Sequence, residues 1–214
     1  VPLLEACALW LQGDARRSRR WLARALECAE FAVALSPSRA SLLLRAQIRF
    51  EFEDNENGLA DLARILRENP GDLAVRVGRS EILADLYRYR PAARELERVI
   101  RGTPAPWWFY AQRGRLRGMC GLLKPALKDF DEALRRRPKR GAVRAWRAEV
   151  LRKLGRLAES RRALDLATAH APRYAFAWEC RGRLRLMLGE PAPALRDLER
   201  ACRLDPTHTL AFAW

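Results

Sequence analysis

The sequence predicts an all-α solenoid of antiparallel helix pairs repeating every 34 residues, and three observations predict it. Prolines fall at 37, 70, 104, 138, 172 and 206, spaced by 33 and then four times by 34; a fixed period of this size marks a repeat array. Within each period apolar residues recur at steps of three and four in two stretches of about 13 residues, the pattern of amphipathic helices. No stretch alternates apolar and polar residues as a half-buried strand would.

Placing each proline at position 32 of a unit orders the elements along the chain. Residues 1–38 form a degenerate first unit ending in LECAEFAVALSP; five tandem units follow at 39–72, 73–106, 107–140, 141–174 and 175–208, and residues 209–214 begin a further, truncated one. Glycine or a polar turn separates the two helices of a unit, as at Gly155 and Gly189, and the next proline closes the second helix. Pro91, Pro125 and Pro193 fall in the first turn of a second helix, where a missing N–H leaves no bond unmade. The third unit is entered through PWWFY (Pro106 to Tyr110), with Phe109 and Tyr110 at core positions 3 and 4 and Trp107 and Trp108 at positions 1 and 2. The fifth is the clearest, with Trp178 at position 4, Gly182 at 8, Gly189 at 15, Ala194 at 20, Leu198 at 24, Ala201 at 27 and Pro206 at 32.

This pattern resembles the tetratricopeptide repeat family, which carries a large or aromatic residue at 4, small residues at 8 and 20, a large one at 24, alanine at 27 and proline at 32. The resemblance covers residues 39–208 and implies a right-handed solenoid of helix pairs that serves as a non-catalytic scaffold for protein partners.

Arginine occupies position 7 of all five units (Arg45, Arg79, Arg113, Arg147, Arg181), where the family most often has leucine packed between the helices. A charge there needs a partner. Position 23 on the facing helix supplies Asp61, Glu95, Asp129 and Asp197, with Ala163 in the fourth unit. The expectation is an Arg–carboxylate bridge inside each of four units (Arg45–Asp61, Arg79–Glu95, Arg113–Asp129, Arg181–Asp197), suited to the planar guanidinium fork. For Arg147, Asp165 or Glu149 would have to substitute. Position 11 alternates as Arg49, Leu83, Arg117, Leu151, Arg185, a period of 68 that the sequence leaves unexplained.

The family's groove positions, carried over, point to a concave surface over residues 107–187. Its candidate residues are Trp108, Gln112 and Arg115, then Trp146, Glu149, Arg152 and Lys153, then Phe176, Glu179 and Arg183. Aromatic anchors beside small residues suit an extended or helical peptide with apolar anchors, and Arg152 and Lys153 would steer acidic partners. Position 9 reads Gln47, Glu81, Arg115, Glu149, Arg183, a ladder of largely alternating charge. Some family members hold an acidic C-terminal peptide with lysine, asparagine and arginine at positions 5, 9, 6 and 2 of successive units. Here position 5 reads Leu43, Val77, Ala111, Ala145, Glu179 and position 6 reads Leu44, Gly78, Gln112, Trp146, Cys180, so that clamp is absent.

The formal charge of +15 is regional. Residues 107–174 hold 18 basic and 6 acidic residues, which makes nucleic-acid binding by this basic surface the competing reading; RRRPKR (Arg135 to Arg140) lies within it at an inter-repeat turn, where charge runs are usually solvated. A third reading is the scaffold domain of a larger enzyme. Five scattered cysteines without a CxxC form neither a disulfide framework nor a zinc site, and read as small buried residues in a reducing compartment. No Ser/His/Asp, HExxH or paired-carboxylate arrangement occurs, so no catalytic residue, metal or cofactor is expected. No apolar run reaches the roughly 20 residues of a membrane helix. The chain begins at Val1 without a secretory pattern and is expected to be cytoplasmic. Self-association through terminal repeats is a further expectation, because an uncapped solenoid leaves an apolar face at its end.

Overall fold

The computed structural model describes residues 19–206. The expected start of a further repeat at 209–214 and the first part of the opening unit lie outside the described residues. The chain divides into two compact units, Val1–Ile82 and Leu83–Trp214. Among the described residues there are eleven helices and no strand.

The first unit holds α1 (Arg19–Leu35), α2 (Arg39–Glu51), α3 (Asn55–Glu68) and most of α4 (Leu73–Asp85). Ser38 starts α2 with a reciprocal cap, its Oγ accepting from the Ser41 N–H and its own N–H donating to Ser41 Oγ at 2.9 Å, which satisfies amide groups that the first turn leaves unpaired. Leu42, Ala46, Leu62, Ile65 and Val75 close one apolar core, and Ala25, Ala29, Leu44 and Ile48 join α1 to α2.

The second unit holds α5 (Tyr89–Gly102), α6 (Trp107–Met119), α7 (Leu123–Arg136), α8 (Gly141–Lys153), α9 (Leu157–His170), α10 (Ala175–Met187) and α11 (Pro191–Leu204). Each first helix packs on its own second helix and on the second helix before it, and α6, α8 and α10 also touch in succession. Their core runs through Leu116, Phe130, Val143, Leu151, Leu164 and Leu184. Close approach within a pair depends on glycine at position 8: a Cβ on Gly182 would stand 2.7 Å from Leu198 Cγ, and one on Gly114 would stand 2.9 Å from Phe130 Cε1.

Every turn between the helices of a pair uses one left-handed residue at position 15. In three pairs it is glycine, Gly121, Gly155 and Gly189, with φ of 79°, 74° and 73°; in two it is Glu53 (60°) and Tyr87 (58°). The left-handed region is nearly free for glycine and costly for other residues.

No helix among the described residues is long and apolar enough to cross a membrane. The cysteines depart from the expectation of uniform burial: Cys180 is buried, Cys28 and Cys120 are half-buried, and Cys202 is exposed. Burial pushes the Cys180 thiol up to about 12.

Candidate binding groove

Three buried carboxylates organise the polar interior. Arg45 donates through Nε and Nη2 to Asp61 at 2.9 and 2.6 Å, Arg113 to Asp129 at 3.0 and 2.6 Å, and Arg181 to Asp197 at 2.8 and 2.8 Å. Each is the two-pronged geometry that a guanidinium fork provides. A second arginine, one helical turn on, reaches the same carboxylate: Arg49 to Asp61 at 2.8 Å, Arg117 to Asp129 at 2.9 Å and Arg185 to Asp197 at 2.6 Å. The 68-residue alternation at position 11 therefore follows the presence of a shared aspartate. Where position 11 is leucine instead, Leu83 and Leu151 are buried.

Arg147 behaves differently from expectation. Its partner is neither Asp165 nor Glu149 but Asp131, at 2.7 Å from Nε. With Ala163 opposite and Leu151 filling the next turn, the side chain turns back to the preceding second helix, where position 25 carries an acid. Arg181 also reaches Asp165 at 3.3 Å and Arg117 reaches Glu97 at 3.4 Å, both at position 25 of the preceding unit. Buried Glu95 accepts from Arg98 at 3.1 Å.

In the second unit, α6, α8 and α10 wall a concavity of about 630 Å³. Phe130 and Val150 lie at its base, Trp146, Tyr174 and Phe176 line it, and Arg115, Lys153, Arg173 and Arg183 surround it with Glu149 and Asp205. Arg115 donates to Gln112 at 3.2 Å. Burial pushes the Glu149 carboxyl up, but the hydrogen bond from Arg152 and the charges of Arg183 and Lys153 outweigh this and hold it below the usual carboxylate range. Lys153 and Arg173 make no ion pair among the described residues.

Stacks of such helix pairs occur in solved proteins. A tetratricopeptide repeat protein from Parabacteroides merdae superimposes with a TM-score of 0.77 over 97% of this chain and 83% of its own, at 21% identity. The chain has the tetratricopeptide-repeat fold. The protein MamA matches this solenoid with a TM-score of 0.65 at 12% identity, over 77% of this chain and 96% of its own. YrrB, described as a TPR protein with an unusual peptide-binding site, matches with 0.62 at 19% identity, over 87% and 96%. No family model matches the sequence, and no curated protein does.

Of the ten groove residues that the tetratricopeptide pattern nominates, the structure gathers Arg115, Trp146, Glu149, Lys153, Phe176 and Arg183 around the concavity. Trp108 and Gln112 lie outside its lining. Trp108 is exposed at the start of α6, its ring 6.3 Å from Trp107 and 5.7 Å from Phe109. Arg152 is bound to Glu149 at 2.7 and 2.9 Å. Glu179 corrects the expectation: it is buried, with Arg183 Nη1 3.5 Å from its Oε1, and does not line the groove. The reason is helical spacing: Glu179 lies four residues after buried Ala175 and three before buried Gly182, on the buried face of α10. Sequence reasoning missed Arg173 and Tyr174, which belong to the turn before α10; the family's helical positions carry no signal for a turn.

Proposed function

We propose that the chain is a non-catalytic scaffold whose second unit binds an extended peptide with apolar anchors and acidic character. The observation that carries this reading is the concavity of about 630 Å³, in which an aromatic lining of Trp146, Tyr174 and Phe176 is ringed by more cations than carboxylates. Aromatic walls supply desolvated anchor area at little entropic cost. Arg115, Lys153 and Arg173 set the sign of the partner and speed its approach. Arg183 and Arg152 are engaged by Glu149 and serve to shape the rim. Trp108 and Gln112, on α6, extend the surface beyond the concavity.

The nucleic-acid reading draws on the basic surface of residues 107–174, and part of its RRRPKR run is engaged. Arg135 and Arg136 both bind Glu132, Arg136 also donates to the Ala105 carbonyl and stacks over Tyr110 at 4.5 Å, and Arg140 stacks over Trp107 at 4.5 Å. Cations already paired with a carboxylate, as Arg135 and Arg136 are with Glu132, release fewer counterions on binding phosphate.

The test is titration of a fluorescein-labelled peptide SEFEFES by anisotropy. Trp146→Ala is expected to weaken binding at least about tenfold, and Lys153→Glu with Arg173→Glu to do the same with a reduced association rate. Unaltered binding in both variants, alongside a salt-steep shift of a single-stranded oligonucleotide, overturns the peptide reading.

A further inference from the structure

Within the first unit, α2, α3 and α4 enclose a second cavity, of about 310 Å³. Its surfaces come from Leu43, Phe50, Leu62 and Val75, with Gly78 on one wall and Glu81 at the rim. The wall glycine is unusual. Gly78 sits inside α4 with ordinary helical backbone, and a Cβ built there meets nothing within 4 Å. Neither backbone conformation nor packing calls for glycine, unlike Gly114 and Gly182, whose Cβ positions are filled by neighbours. A glycine inside a helix costs about 1 kcal/mol against alanine. What its missing side chain does is keep the cavity open.

The charge around this cavity is balanced, one arginine and one glutamate, where the second unit's lining has an excess of cations. Arg39 is the cation on its lining, and it is committed to Asp72, Nε to Oδ2 at 2.5 Å and Nη2 to Oδ1 at 3.3 Å. Asp72 is further fixed by the Val75 N–H at 3.1 Å. Glu81 is exposed, and its carboxylate makes no ion pair or hydrogen bond among the described residues. An apolar slot with one uncommitted carboxylate at its mouth complements an apolar side chain next to a cation.

We infer that the first unit carries its own binding site, for a peptide segment in which an apolar residue is flanked by arginine or lysine. The apolar side chain enters beside Gly78 and the cation pairs with Glu81. Its lining shares no residue with the groove of the second unit, and its partner chemistry is opposite in sign. The formal charge of +15 repels a cationic peptide from the chain as a whole, so saturable binding of one reports a local site.

The experiment uses the full chain with labelled SRFRFRS, and SEFEFES as the reversed-charge control. Saturable binding of SRFRFRS is expected, weakened about tenfold by Gly78→Leu, which fills the slot, and by a smaller factor by Gly78→Ala, which fills part of it. Glu81→Gln, at an exposed site that leaves folding intact, is expected to weaken SRFRFRS several-fold, as loss of one charge-assisted bond does. Trp146→Ala is expected to leave SRFRFRS binding unaltered, which separates this site from the groove of the second unit. No saturable binding up to about 1 mM, or binding indifferent to both Gly78→Leu and Glu81→Gln, overturns the inference.

Discussion

Arg117 Nη1 lies 2.9 Å from Asp129 Oδ2, one helical turn beyond Arg113, so one buried carboxylate holds two guanidinium groups. The same arrangement recurs at Asp61 and Asp197 and skips the repeats between, where position 11 is a buried leucine. A buried carboxylate shared in this way is stabilising only while all three charges are present, because each alone would be a desolvated ion.

Asp129→Asn is therefore expected to lower unfolding stability by roughly 3 to 5 kcal/mol, read from urea denaturation. The fourth repeat shows the apolar solution, with Leu151 and Ala163 in the corresponding places and its arginine turned to Asp131. Arg117→Leu combined with Asp129→Ala recreates that set and leaves Glu97 for Arg113, so it should recover most of the loss. A double variant as unstable as the single one refutes this account. Asp131→Ala, which removes an exposed partner, should cost no more than about 1 kcal/mol.

The left-handed residue of each turn gives a second expectation. Gly155 has φ of 74°, and Gly155→Val should lower stability by about 1 to 2 kcal/mol. Glu53 occupies the equivalent place with φ of 60°, so Glu53→Gly should raise stability by up to about 1 kcal/mol. Thermal unfolding of both variants decides the matter, and destabilisation by Glu53→Gly counts against it.

Acid sensitivity follows from Glu132, whose carboxyl is lowered from 4.5 to about 2 by hydrogen bonds from Arg135 and Arg136. A carboxyl with a depressed folded-state value stabilises the fold above its unfolded value and loses that contribution as pH falls through its folded one. Glu132→Gln should melt below the parent chain at neutral pH, by no more than about 1 kcal/mol for a partly solvated pair. The gap should close between pH 4.5 and about 2; a gap constant across that range assigns the effect to packing instead.

The fold was legible in the chain because it is periodic. Proline at position 32, glycine at 8 and apolar residues at three and four residue steps are local signals, repeated often enough to set helix order and length. The partners of Arg45, Arg113 and Arg181 were legible for the same reason, since two positions of one repeat face each other wherever the pair folds alike. Arg147 was not, because its choice of Asp131 depends on the neighbouring repeat and on what fills its own interior.

What the sequence by itself determined was the architecture: helix pairs, their turns and which faces are buried follow from residue spacing along one short stretch of chain. Only the tertiary structure decided the surroundings of individual side chains. It placed Arg173 and Tyr174 beside Trp146, withdrew Glu179 beneath the surface, and left Gly78 over an open cavity. The physical reason is that a side chain's exposure and charge state depend on atoms contributed by other repeats, at distances of a few ångströms in space and 30 or more residues in sequence, and residue spacing carries no record of them.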